Sequence, residues 1–98
     1  MTFLDRAGGR VRLTPERLAH IREHPEMIGL ERDLVEALRE PRVVVQSLTD
    51  PSAILHYRFC RETLVGDKWL CVVVKYTELD AFVLTAYLTD RIKKGRPL

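Results

Sequence analysis

The sequence predicts an α+β domain: two N-terminal helices packed on a four-stranded, mostly antiparallel sheet, preceded by a short N-terminal hairpin. Three observations carry this. Helical periodicity is confined to the residues before Pro41, four segments rich in β-branched and aromatic residues follow it, and the connections between those segments are short. Neighbouring antiparallel strands need only a tight turn, whereas a parallel crossover takes a dozen or more residues. With 98 residues the chain supports one core, so residues 1–98 read as a single domain.

The first element is a hairpin from Phe3 to Leu13 around Ala7-Gly8-Gly9, where paired glycines accept the positive φ of a tight turn. Thr14-Pro15-Glu16 then starts a helix: a hydroxyl to cap free amides, a proline whose missing N–H is no loss, and an acid at the positive dipole end. This helix runs to about His24, because Pro25 disfavours helical geometry in the residue before it. A second helix is expected from Met27, with Met27, Leu30, Leu34 and Leu38 on one stripe and Pro41 stopping it.

The strand candidates are Arg42 to Leu48, Ile54 to Arg61, Trp69 to Tyr76 and Ala81 to Thr89. Turns fall at Asp50-Pro51-Ser52, Gly66-Asp67-Lys68 and Glu78-Leu79-Asp80. Alternation puts Leu55, Tyr57 and Phe59 on one face of their strand and His56, Arg58 and Cys60 on the other. In the last strand Phe82, Leu84, Ala86 and Leu88 oppose Val83, Thr85, Tyr87 and Thr89. If the more apolar sets cover the helices, His56, Arg58, Thr85, Tyr87 and Thr89 meet on the opposite, half-open face.

Composition narrows the function classes. An apolar fraction of 46% with 31% charged residues is that of a globular protein, and disorder is expected at the ends at most. A net charge of +2 is too small for bulk attraction to nucleic acid, but Arg91, Lys93, Lys94 and Arg96 make residues 91–98 a basic tail that would attract phosphate at short range. Cys60 and Cys71 lie in apolar strands with neither zinc-knuckle spacing nor the density of a disulfide scaffold, and read as reduced core thiols. With no apolar run near the ~20 residues of a membrane span and no leader-like N-terminus, the expected location is the cytoplasm and no membrane partner is expected.

Candidate chemistry begins on the first helix, where Arg17, His20 and His24 share one stripe. The run His20-Ile21-Arg22-Glu23-His24 matches the H-x-x-E-H pattern of inverted zinc peptidases, but such a site wants a long supporting helix and a third, acidic ligand on another, whereas Pro25 truncates this helix and only Glu31, Asp33 or Glu36 could be recruited. No glycine-rich phosphate loop, nucleophile elbow or paired-cysteine metal signature occurs, so no cofactor is expected. Lys75 is the one cation in an otherwise apolar strand. It either reaches the strand end or faces a cleft.

Taken in order, Thr14-Pro15-Glu16-Arg17, His20-Ile21 and His24-Pro25-Glu26, an amphipathic helix ending at Pro41, and Leu84-Thr85-Ala86-Tyr87 resemble phage and polymorphic-toxin nuclease domains. These are grouped as the barnase, EndoU, colicin E5/D and RelE-like superfamily, and the resemblance covers nearly the whole chain. It implies a toxin-like or phage-derived, metal-independent ribonuclease that cuts RNA on the concave sheet face. By that analogy His20 is the leading acid or base, Arg58 and Lys75 supply cations, and Thr85 and Tyr87 line the scissile phosphate. Arg17, His24, His56, Lys93 and Lys94 would bind RNA, and a cognate inhibitor or antitoxin protein is a second partner. The general base stays open, because no glutamate stands at a central strand position. RNA supplies its own nucleophile, the 2′-hydroxyl, so such a protein needs only a base, an acid and cations. The competing expectation is a catalytically inactive module of the same fold that binds RNA or protein.

Overall fold

In the computed structural model, which describes residues 1–98, the chain opens with the hairpin of β1 (Thr2–Leu4) and β2 (Arg10–Arg12). Its turn is closed by Asp5, whose Oδ1 accepts from the Ala7 and Gly9 amides at 3.0 and 2.7 Å. Gly8 takes φ +82°, a conformation that a Cβ would strain. The Tyr76 hydroxyl donates to the second oxygen of Asp5 at 2.9 Å, fastening this turn to the sheet.

Helix α1 (Pro15–Arg22) is capped as the sequence predicts, with the Thr14 hydroxyl accepting from the Arg17 amide at 3.2 Å. The second helix starts later than expected. Pro25–Met27 form one 3₁₀ turn, Gly29 takes φ +89°, and only then does α2 (Glu31–Arg39) begin. A left-handed residue interrupts the helical hydrogen-bond ladder, so the apolar stripe from Met27 onward spans two elements.

The strands that follow are β3 (Val43–Gln46), β4 (Ala53–Thr63), β5 (Gly66–Tyr76), β6 (Ala81–Thr89) and β7 (Arg96–Pro97). Consecutive strands β3 to β6 pair antiparallel. The expected four-stranded antiparallel sheet is nevertheless corrected: there are seven strands in a mixed sheet, ordered β1-β2-β6-β5-β4-β3-β7. The hairpin joins the sheet through a parallel pairing of Arg12 with Phe82, and the C-terminal residues add β7 antiparallel to β3. Both flanks of the meander would otherwise present unpaired backbone groups, and these additions cover part of each edge.

Helices α1 and α2 lie on one face. Ile21, Leu34, Ala37 and Leu38 pack there on Leu70, Val72, Val74, Val83 and Ala86 in the main core. Full burial of each of these valine, leucine and isoleucine side chains is worth about 1.5–3 kcal/mol. The other face carries a smaller core of Val45, Leu55, Tyr57 and Cys71, against which Trp69, Val73, Tyr87 and Ile92 pack. Ile92 comes from the segment that links β6 to β7. The two strands stand four positions apart in the sheet, roughly 19 Å at about 4.8 Å each, so residues 90–95 must cross this second face nearly extended.

Two register features decide which side chains look where. In β4 the alternation is as expected but the faces are exchanged: His56, Arg58 and Cys60 lie toward the helices, while Leu55, Tyr57 and Phe59 lie on the face crossed by residues 90–95. In β6 a bulge leaves Leu84 unpaired between Val83, opposite Val74, and Thr85, opposite Val73. One extra residue flips the parity, so Val83 and Ala86 both face the helices while Thr85 and Tyr87 face the crossing segment.

No helix is long and apolar enough to cross a membrane. Both cysteines are free and buried.

Candidate functional site

The crossing segment is held at both ends. The Lys93 amide donates to the Tyr57 phenol oxygen at 3.0 Å, and the Leu98 amide donates to the Val44 carbonyl at 3.0 Å beyond β7. Gly95 passes so close to β3 that a Cβ there would meet Val45 Cγ1 and lie 2.5 Å from the Gln46 carbonyl oxygen. Ile92 anchors in the smaller core. The basic C-terminal residues are therefore laid across the sheet, with the side chains of Lys93 and Lys94 brought to its surface.

Beneath them is a cavity of about 200 Å³ lined by Thr85 and Tyr87 of β6, Lys93 and Lys94 of the crossing segment, and Ser47 after β3, on an apolar floor that includes Leu55 and Val73. No carboxylate lines it, and neither lysine forms an ion pair. Burial, and then the neighbouring Cys71 thiol, push the Tyr87 phenol above the ordinary tyrosine range, so it stays a proton-bearing donor at neutral pH. Cations and hydroxyl donors without a competing acid suit an oxyanion such as a phosphodiester.

Lys75 shares this face one register step beyond Val73, opposite Ala53, and is paired with Asp50. The Lys75 ammonium, followed by the Ser52 hydroxyl, draws the Asp50 carboxyl down to about 2. Lys75 is thus a charge already neutralised at the cavity's margin.

The remaining expected site residues do not converge here. Arg58 lies on the helix side, where its Nε donates to Asp33 of α2 at 3.1 Å. His56, 2% exposed, lies on the same side with its Nδ1 3.3 Å from the Val72 carbonyl, and burial lowers its pKa below the ordinary histidine value. The expected meeting of His56 and Arg58 with Thr85 and Tyr87 on one face is corrected. The rule that the greasier set covers the helices failed because the second face has its own apolar cover in Ile92, and because Asp33 supplies the helix side with a counter-ion for Arg58.

Arg17 and His20 project from α1, which ends at Arg22 and not at His24 as expected, so His24 stands in extended backbone beyond the helix; all three are exposed. At 100° per residue Arg17 and His20 sit on the flank of Ile21 opposite Leu18 and Arg22, and Arg22 is the residue that reaches α2 through Glu31 at 2.8 Å. Of the three, Arg17 reaches β6: its Nη1 donates to the Leu84 carbonyl at 3.4 Å, immediately before Thr85. His20 and His24 lie 3.5 and 3.8 Å from Glu23 and Glu26. No group of three His, Cys, Asp or Glu side chains is placed to share a metal ion.

The largest depression, about 640 Å³, lies elsewhere, between the Asp5–Gly9 turn and the turn after β5, and is lined by Arg10, Arg12, Asp5 and Asp80. Arg12 is spent on Asp80 there, and Asp5 on its own turn and Tyr76. Its charges are largely matched within the fold, whereas those of the smaller cavity are not, so the smaller cavity is the better candidate.

Sequence reading singled out Thr85, Tyr87, Lys93 and Lys94 but missed Tyr57, which sets the position of Lys93, and Asp50 and Asp33, which occupy Lys75 and Arg58. The available signal was Ile92, a lone branched apolar residue among four cations, which marks that stretch as packed rather than trailing. Compared with protein-family models, curated proteins and solved structures, the chain matches none.

Proposed function

We propose that this chain is a metal-independent RNA endonuclease that works by attack of a ribose 2′-hydroxyl on the adjacent phosphate, with the cavity under Lys93 and Lys94 as its site. The observation that carries the reading is the convergence of two unpaired ammonium groups with the Thr85 and Tyr87 hydroxyls over a floor free of carboxylates. In such a site the lysines offset the charge that builds on the phosphoryl oxygens, and Thr85 donates to one of them. Tyr87, kept protonated, gives its proton to the departing 5′ oxygen as the phosphorus–oxygen bond breaks. The proton of the 2′-hydroxyl goes to solvent water at the mouth of the cavity, because His20 stands with α1 on the helix side of the sheet and does not line it. The products are a 2′,3′-cyclic phosphate and a 5′-hydroxyl. A toxin-like enzyme of this kind would act in the cytoplasm, where RNA is exposed.

The test is incubation of the purified protein with single-stranded RNA in excess EDTA, with cyclic-phosphate ends as the readout. Tyr87→Phe should lower cleavage by about 10² to 10⁴, and Lys93→Ala with Lys94→Ala should abolish it. Cleavage indifferent to these changes overturns the proposal.

A second reading, an RNA-binding module that does not cut, is favoured by one observation: the cavity lining contains neither an imidazole nor a carboxylate to serve as base. Binding that is steeply salt-dependent, with no product ends under any condition, selects it.

A further inference from the structure

The face crossed by residues 90–95 holds a second feature that the cavity does not use. Phe59 of β4 and Trp69 of β5 are register partners and lie edge to face, ring centroids 5.1 Å apart at 70°. Tyr57 extends the group, 6.4 Å from Trp69 at 88°. Trp69 has a structural role against the smaller core, but Phe59, though it packs on Trp69, stays 40% exposed on the sheet face. A large aromatic ring at such a position offers a π-face to solvent.

On its β6 side the surroundings are basic, whereas at the far hairpin Asp67 accepts from the Glu62 amide at 2.8 Å. Beside Trp69, β6 ends at Thr89, and the acid that follows, Asp90, is taken up by Lys68 at 2.5 Å. Arg91, Lys93 and Lys94 then follow with no acidic partner. Tyr87 faces Cys71 in the register, and Trp69 is the next residue of β5 on the same face. Tyr87 and Trp69 are therefore diagonal neighbours, about 7–8 Å apart at their Cα atoms. One nucleotide covers that distance.

We propose that the Phe59–Trp69 pair is a stacking platform for an unpaired base of single-stranded RNA whose neighbouring phosphate sits in the Thr85–Tyr87–Lys93–Lys94 cavity. The inference rests on the RNA reading of that cavity and deepens it by naming the strandedness of the substrate. Stacking on an aromatic ring accepts any base, because every base has a π-face, so the platform sets a preference for single strands and not for sequence. In a duplex the bases are already stacked on one another, and only the phosphates remain available to the lysines.

Trp69 is the only tryptophan, so its emission reports on the platform directly. The probe is a short oligoadenylate with 2′-O-methyl riboses, which has no free 2′-hydroxyl and cannot be cut. Titration should quench Trp69, and a duplex of the same length should bind about tenfold more weakly at matched salt. Phe59→Leu, which keeps an apolar side chain but removes the ring, should weaken single-strand binding about tenfold, and Phe59→Tyr should restore it. Phe59→Tyr should unfold at the parent's temperature and Phe59→Leu a little below it, since the ring packs on Trp69, so binding is compared where circular dichroism shows all three proteins folded. Equal affinity for single strand and duplex, or Phe59→Leu binding like the parent, overturns the proposal. So does Trp69 emission that changes with protein concentration and not with oligonucleotide, which would give this face to a second copy of the chain. Failure of the nuclease reading is separate: natural RNA left intact while the uncleavable strand binds through Phe59 removes the catalysis and keeps the platform.

Discussion

The Lys93 amide and the Tyr57 phenol oxygen are joined at 3.0 Å, and this bond fixes a C-terminal segment to the middle of a central strand 36 residues earlier. Tyr57 is fully buried, and its hydroxyl proton is held so firmly by burial that its pKa is pushed up to about 12. Tyr57→Phe keeps the ring packing and removes the acceptor. Stability should fall by about 1 kcal/mol, the usual worth of a hydrogen bond, and the amides of Ile92 to Gly95 should exchange faster by hydrogen–deuterium exchange. Exchange confined to its parental rate would show that Ile92 alone holds the segment.

The Arg58–Asp33 pair ties β4 to α2 at a half-exposed site. Water screens such pairs, so a double-mutant cycle of Arg58→Met and Asp33→Asn should give a coupling of about 0.5–1 kcal/mol. Because the guanidinium is on the helix side of the sheet, RNA binding and cleavage by Arg58→Met should match those of the parent. Loss of RNA affinity in this variant, with the fold intact by circular dichroism, would mean that RNA reaches the helix side.

These two pairs also show what the amino-acid order could and could not reveal. Element identities were legible because capping at Thr14, the stops at Pro25 and Pro41 and the β-branched runs are local signals. So was the period of two along β4. Its absolute orientation was not, since choosing a face requires knowing that Ile92 would cover Leu55 and Tyr57 while Asp33 would meet Arg58. The Leu84 bulge was hidden for a similar reason: an extra residue leaves no mark in composition, yet it parts Val83, which turns to the helices, from Thr85 and Tyr87, which face away from them as the sequence reading had it. The joining of β2 and β7 to the sheet is a long-range pairing of two- and three-residue strands, too short to carry a pattern.

Burial of His56 gives stability a pH dependence with a definite sign. The buried imidazole resists protonation, so its folded pKa lies below the unfolded value near 6.5, and the unfolded chain binds more protons between the two. The stabilisation is complete above about pH 6.5 and is lost as pH falls toward the folded pKa. Urea midpoints should therefore drop from pH 7.5 to 5.5, and His56→Phe should flatten that segment of the profile. Asp50 adds a separate, lower window: held down to about 2 chiefly by Lys75, it stabilises above about pH 4 and loses that contribution as pH falls toward 2. A profile as steep in His56→Phe as in the parent would assign the upper window to another group.

Gly95 gives the sharpest test of the crossing segment, because its tolerance is set by backbone and not by a movable side chain. A Cβ would stand 2.5 Å from the Gln46 carbonyl oxygen and overlap Val45, so Gly95→Ala must push residues 93–96 off β3. That displaces β7, whose pairing of Gln46 with Arg96 begins at the next residue, and moves Lys93 and Lys94 away from Thr85 and Tyr87. Overpacking of this kind costs about 1–3 kcal/mol, read as a lower urea midpoint. The segment and the cavity are one unit, so RNA affinity should fall with it even where most molecules remain folded. Gly95→Ala with parental stability would mean that β3 yields to the added methyl. If RNA affinity were also unchanged, the lysines would owe nothing of their placement to the close approach of Gly95 to β3.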